Sequence, residues 1–170
     1  MSYKSKRSII IYFSRADENY WVWFVEKWNT EIVAEFIQEL SGADMFKVER
    51  KIPYAKDYDT CIKQAQEEQR NNERPELVQE LSSIDEYEVI YIWAPVYRWV
   101  LPQPMVTQLE KLNREKKIVR PFTTHEGSWL GEIPEQLEEI CSWAMIFDWL
   151  AIRWSAAHSS KDTVERWLEG

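Results

Sequence analysis

Glycine is scarce in this sequence, with four residues in 170 where average usage is about 7%. Cysteine is scarcer still: Cys61 and Cys141 are the only two, and they have neither metal-ligand spacing nor a CxxC pattern. The two histidines, His125 and His158, lie far apart and form no zinc motif. We therefore expect two buried or half-buried thiols and no metal site.

Positive charge and long apolar runs are also lacking. Lysine and arginine total 21 against 29 acidic residues, which gives a net charge of −8. This balance argues against nucleic acid and anionic membranes as partners, because both require a basic surface. No apolar run approaches the roughly 20 residues of a membrane span. The opening segment "MSYKSKRSIIIYF" has too short an apolar run for a secretory signal and no small-residue cleavage site. These features predict a cytoplasmic protein.

What the sequence does contain is a globular composition, 45% hydrophobic and 29% charged, with ten tryptophans. A chain of this length fits one domain with one core, over residues 1–170. Apolar, β-branched runs that predict strands alternate with segments that predict helices. The predicted strands are "SIIIYF" (8–13), "ADMFKVER" (43–50), "VIYIWAP" (89–95), "KKIVRPFTT" (116–124) and "WLAIRW" (149–154).

Helices are predicted between these strands. Asn29 or Thr30 is expected to cap the first helix and Gly42 to close it, while Ser159 or Ser160 is expected to cap the last. The predicted helical segments are 29–42, 56–75, a short stretch at 75–88, 103–112, 132–143 and 159–170. The alternation predicts an α/β fold, a parallel sheet with helices on both faces.

Several stretches together resemble the short-chain, single-domain flavodoxins. They are "IIYFSRADENY", "NTEIVAEFIQELSGADMFKVERKIPYAKDYDTC", "EEQRNNERPELVQ", "PFTTHEGS" and "LAIR". The resemblance implies a flavodoxin-like three-layer sandwich whose five-stranded parallel sheet has the order 2-1-3-4-5, with FMN at the carboxyl ends of the strands. It also implies that FMN contacts come from Ser14, Asn29, Thr30, Tyr97, Thr124, His125, Gly127 and Ser128.

The departures from that family pattern are concentrated. Tryptophan stands at six positions where the pattern has glycine, and most of these lie on loops at the carboxyl edge of the sheet: Trp28, Trp93, Trp99, Trp129, Trp149 and Trp154. Change confined to one edge favours the hypothesis that the cleft was rebuilt, by design or directed selection, to bind a small planar or apolar ligand, with weak or no FMN binding. The expected pocket residues are Trp28, Trp93, Arg98, Trp99, Gln103 and Trp129.

Two other functions stay open. The first is an FMN-dependent electron carrier whose acidic surface docks on a basic redox partner. The second is an interaction or assembly module that self-associates through an exposed tryptophan cluster. His125 and Ser128 do not by themselves predict a hydrolase, because nucleophilic catalysis also needs an oriented base, and no catalytic residue is assigned. Arg120, in an apolar strand, either meets a carboxylate or ligand anion or extends to water at the sheet edge.

Overall fold

A computed structural model describes residues 6–13, 29–93, 100–125, 127 and 129–170. Its strands are β1 (Ser8–Phe13), β2 (Asp44–Val48), β3 (Val89–Trp93), β4 (Ile118–His125), β5 (Met145–Ile146) and β6 (Leu150–Arg153). All pairings between them are parallel, in the order β2-β1-β3-β4-β5, with β6 also paired to β4. The predicted fold class and strand order are therefore confirmed.

Within the described residues, five α-helices connect or follow the strands. They are α1 (Asn29–Ser41), α2 (Tyr58–Arg70), α3 (Gln103–Glu110), α4 (Ile133–Ile140) and α5 (Lys161–Glu169), with a 3₁₀ helix at Trp154–Ser159 before α5. Among the described segments, no helix combines the length and apolar character needed to cross a bilayer.

Two apolar clusters cover the two faces of the sheet. Ile10, on one face, packs with Val33 of α1 and Val164 of α5. On the other face Ile11 packs with Met105 of α3 and Leu137 of α4. Neighbouring residues of a strand point to opposite faces, so continuous apolar strands such as "SIIIYF" are needed to fill both layers. This explains why the central strands read as unbroken apolar runs.

The fifth position of the sheet holds two short strands, whereas the sequence predicted one strand from Trp149 to Trp154. The first piece, β5, pairs with Ile118 and Val119 at the start of β4. The second piece, β6, pairs with the last four residues of β4, Phe122 to His125. The boundaries of the predicted strand were therefore wrong, although β6 lies within it.

Pro121 explains the interruption. The Phe147 N–H donates to the Val119 carbonyl over 2.9 Å, so the backbone groups of Val119 face the fifth position. Alternate residues of a strand direct their backbone groups to the same neighbour, so Pro121 faces that position too. Proline has no N–H to donate, and the ladder breaks where this donor is missing.

The helical stretch predicted at 75–88 is also wrong, because irregular backbone replaces it. The carbonyl of Glu76 and the N–H of Val78 are bonded to backbone beside β2, through an antiparallel bridge between Leu77 and Arg50. Farther along, the Gln108 amide accepts from the Leu81 N–H (2.9 Å) and donates to its carbonyl (3.0 Å). These tertiary partners replace the bonds that a helix would supply.

The ends of the helices follow the predictions in part. Gly42 closes α1 with φ of +71° and donates to the Gln38 carbonyl over 2.8 Å, as expected for a glycine C-cap. Ser160 occupies the N-cap position of α5 as predicted, although its hydroxyl donates to the Ala157 carbonyl and forms no capping bond. Asn29 and Thr30 lie inside the first turn of α1 rather than at a cap, so that cap prediction was wrong.

Arg120 is buried within the sheet, with 1% of its surface exposed. Its guanidinium stacks 4.2 Å above the Trp167 ring and donates to the Trp167 carbonyl in the last turn of α5. A cation is favourable there because the carbonyls at a helix C-terminus lack intrahelical donors and carry partial negative charge. The predicted extension of Arg120 to water was wrong.

Candidate functional site

The order in which successive strands are added to the sheet reverses between β1 and β3. After β1 the chain leads to α1 on one face, and after β3 it leads to α3 on the other. In open α/β sheets such a reversal opens a crevice at the carboxyl ends of the two strands, and ligands bind there. Phe13 and Trp93 are the last residues of the two strands, so the candidate site lies beyond them.

The first turn of α1 is hydrogen-bonded to strand β4, two positions from β1 in the sheet, at this same edge. The hydroxyl oxygens of Thr30 and Thr124 lie 3.1 Å apart in a hydrogen bond, and both side chains are fully buried. The free N–H groups and positive dipole end of α1 are therefore held beside the end of β4, an arrangement that favours an anion. The predicted site residues Thr30 and Thr124 are therefore brought together. Asn29, another predicted site residue, precedes Thr30 in the first turn of α1.

His125, at the end of β4, accepts a hydrogen bond from a backbone N–H two residues farther along the chain. The Gly127 N–H donates to His125 Nδ1 over 3.1 Å, so a neutral imidazole carries its proton on Nε2. Gly127 has a φ of +127°, which L side chains rarely adopt, although a Cβ there would meet no atom within 4 Å. Backbone conformation rather than space thus requires glycine at this position.

Tyr12, one residue before the end of β1, is buried on the face of α1. Burial raises the pKa of its phenol to about 12, and the carboxylates of Glu31, Glu35 and Glu49 raise it further in the same direction. The phenol is therefore protonated throughout the physiological range and remains a hydrogen-bond donor.

Trp93, a predicted pocket residue, packs among buried apolar side chains. Its indole is fully buried and packs in the layer of α1 and α5, with its ring centre 6.1 Å from that of Phe122. Alternation along β3 gives the reason, since Trp93 shares a face with Tyr91 whereas Ile92 faces α3. Trp93 is thus buried in the core, and the hypothesis that it fills the flavin cleft stays a prediction.

Two other predicted pocket residues also lie elsewhere. Trp129 is 66% exposed and stacks on His125, with ring centres 5.9 Å apart, so its indole does not fill a cleft. The amide of Gln103 donates to the Glu68 carbonyl over 3.4 Å and ties α3 to α2. Gln103 belongs to the opposite layer from Trp93, so the structure does not bring these residues together as one pocket.

The remaining predicted site residues fall outside the described residues. They are Ser14, Trp28, Tyr97, Arg98, Trp99 and Ser128.

Trp129 occupies a left-handed backbone position with φ of +52°, which costs an L-residue about 1–2 kcal/mol. We expect Trp129→Gly to be more stable than Trp129→Ala by about 1 kcal/mol, because both lose the indole but only glycine relieves the backbone. Urea unfolding of the two variants measures the difference. A glycine variant less stable than the alanine variant would contradict the assigned strain.

Sequence reasoning missed two groups of residues. One is a buried ion pair between Arg50 and Glu68, 2.8 Å apart, and the other is a groove that includes Arg114 and Trp143. Arg50 and Arg114 stand in polar segments where charged residues are ordinarily solvated, so the sequence carried no signal for either. Trp143, the last residue of the predicted amphipathic helix 132–143, was the one visible anomaly.

Comparison with known proteins agrees with this geometry. The sequence profile described as flavodoxin matches residues 20–170, whereas no curated protein matches the chain. A candidate flavoprotein from Bacteroides uniformis is 21% identical, with 97% of this chain and 99% of that chain covered and a TM-score of 0.78.

Two similar structures contain a flavin. The flavoprotein from Lactobacillus acidophilus in complex with FMN is 21% identical, with coverage of 94% and 98% and a TM-score of 0.66. The Fusobacterium nucleatum flavodoxin bound to flavin mononucleotide is 12% identical, with coverage of 96% and 95% and a TM-score of 0.55. At these identities the structures support the fold, while the profile match spans most of the sequence. The chain belongs to the flavodoxin family.

Proposed function

We propose that this protein binds FMN in the crevice between the ends of β1 and β3 and acts as an electron carrier. The observation that carries the proposal is the buried hydrogen bond between Thr30 and Thr124. It holds the first turn of α1, a favourable place for a phosphate, at the reversal point of the sheet.

The residues at this edge suit a phosphorylated ligand. The first turn of α1 offers backbone N–H donors, and Ser14 and Asn29 remain the predicted side-chain donors next to it. FMN, when bound, supplies a ring that accepts and releases electrons. The chain supplies the contacts to the phosphate and the side chains that line the crevice.

The structural neighbours that contain FMN support this choice of ligand. A small planar ligand in place of FMN finds less support, because Trp93 lies in the core and Trp129 lies largely in solvent. The net charge of −8 also suits an electron carrier, since an acidic surface steers the approach of a basic redox partner.

Titration of the flavin-free protein with FMN tests the proposal. We expect saturable quenching of flavin fluorescence at one FMN per chain, and weaker binding of riboflavin, which lacks the phosphate. Thr30→Val removes, at constant shape, the hydroxyl that bonds Thr124. The first turn of α1 then loses its link to β4, so FMN binding is expected to weaken about tenfold. Riboflavin binding is expected to change less.

Thr163→Val serves as the matched control, because Thr163 is exposed and the Lys161–Glu39 ion pair places the start of α5 beside the last turn of α1 rather than its first. Its FMN affinity should equal that of the parent protein. Absence of quenching at micromolar protein, or equal affinity for FMN and riboflavin, would reject the proposed site.

A further inference from the structure

A polar groove lies between α3 and α4, on the face of the sheet opposite α1 and α5. Its volume is about 520 Å³, within the range of about 300–1,000 Å³ that small-molecule sites occupy. An inorganic ion would leave most of this space empty. The lining residues that matter here are Arg74, Val106, Glu110, Arg114, Ile140 and Trp143.

One end of the groove lies at the amino edge of the sheet. Helices α3 and α4 both return the chain toward the starts of the next strands, so their last turns lie at that edge. The Lys116 N–H donates to the Trp143 carbonyl over 3.1 Å, which fixes Trp143 beside the start of β4. Arg114 and Trp143 are thus separated by the length of β4 from His125 and the candidate flavin crevice.

The positive charge of Arg114 is compensated only in part, by the Glu110 carboxylate that already binds Arg74. Arg74 binds Glu110 through two hydrogen bonds of 2.6 and 2.7 Å, so these two charges cancel. That pairing lowers the pKa of the Glu110 carboxyl, and the charge of Arg114 lowers it further. Within the described residues Arg114 forms no ion pair, and its buried Nη1 has no hydrogen-bond partner. A half-buried guanidinium without an ion-pair partner favours the binding of an anion.

Trp143 provides the second feature. Its side chain is 79% exposed, although tryptophan is usually largely buried. The indole stands at the border of the groove, where Val106 and Ile140 add apolar surface. A flat ring placed against these residues would cover apolar area that water now contacts.

We propose that this groove is a binding site for a small aromatic carboxylate, whose carboxylate contacts the Arg114 guanidinium while its ring packs against Trp143. Glu139 also lines the groove, but it is exposed, so solvent screens its charge more than that of half-buried Arg114. The groove therefore selects an anion over a cation. The flavin crevice takes no part in this binding.

A titration with 4-hydroxybenzoate tests the proposal. The protein is labelled with 5-fluorotryptophan, and the Trp143→Phe variant identifies the Trp143 signal in the ¹⁹F NMR spectrum. We expect 4-hydroxybenzoate to shift this signal saturably, and 4-hydroxybenzyl alcohol, which has the same ring without charge, to bind at least about tenfold more weakly. Equal affinities for acid and alcohol, or no shift at millimolar acid, would overturn the proposal.

Variants and FMN give the controls. Arg114→Gln should weaken binding of the acid at least about tenfold, Arg114→Lys should retain most of it, and Lys116→Gln, which removes an exposed cation in the same loop, should leave it unchanged. If Arg114→Gln does not fold, the comparison of acid with alcohol on the parent protein still decides. Saturating FMN should leave the affinity unchanged, whereas competition by FMN would show that the two sites overlap and would overturn the proposal.

Discussion

Replacing Trp93 with alanine is expected to lower the free energy of unfolding by about 3–5 kcal/mol, the usual cost of truncating a buried tryptophan. The indole is fully enclosed between β3 and the layer formed by α1 and α5, against Phe122. Its removal leaves a cavity that rigid strands on either side cannot close. Trp93→Phe keeps most of the volume and is expected to lose less. Urea unfolding of the purified variants measures both changes.

Trp143→Ala is the matched control, because the same truncation on an exposed tryptophan is expected to change stability by no more than about 0.5 kcal/mol. A loss at Trp93 as small as the loss at Trp143 would show that the indole is not a core element. The Trp93→Phe variant also separates two interpretations of this residue. If Trp93 blocked the flavin cleft, the smaller ring would strengthen FMN binding, whereas a core position predicts no gain.

The strand order could be predicted because it follows from alternation and resemblance, both of which are properties of the sequence. Gly42 is a similar case, since a local backbone need selects the residue that meets it. The break at Pro121 was different. The proline was visible, but the side of β4 on which its missing N–H falls depends on pairing with the fifth position. The register between two strands that are distant in the chain cannot be predicted from the sequence of either strand alone.

The residues of the candidate site show the same difference between local features, which the sequence predicts, and features that depend on distant segments. Thr30 and Thr124 were identified from the resemblance to flavodoxins, and the fold brings their hydroxyl oxygens to 3.1 Å. Trp93 was identified as unusual from the sequence, but a glycine-to-tryptophan difference says nothing about which face the new side chain takes. Alternation with Tyr91 and Ile92 decides that face once the helices covering each side are known. Arg114 gave no signal, because its environment is created by α3 and α4 together.

Replacing Glu68 with glutamine is expected to lower the free energy of unfolding by about 3 kcal/mol. Glu68 is 3% exposed, lies 2.8 Å from the Arg50 guanidinium and accepts a hydrogen bond from the Tyr54 hydroxyl. The Tyr54 ring in turn lies under that guanidinium, 4.9 Å from it, and meets the ring of Phe13 edge-on. Glutamine keeps the shape but leaves Arg50 without its opposite charge, and breaking a buried pair from one side costs about 3–5 kcal/mol.

A second substitution distinguishes loss of the pair from loss of packing. Arg50→Met combined with Glu68→Gln removes both charges, so the double variant should be more stable than Glu68→Gln alone. Lys51→Gln provides the control in the next position, because Lys51 and Glu76 form an exposed ion pair and exposed pairs contribute little. Chemical unfolding of the parent protein, Arg50→Met, Glu68→Gln and the double variant gives the coupling energy of the pair. A double variant no more stable than Glu68→Gln would mean that the uncompensated charge of Arg50 is not the source of the loss, and that the bond to Tyr54, beside the end of β1, is.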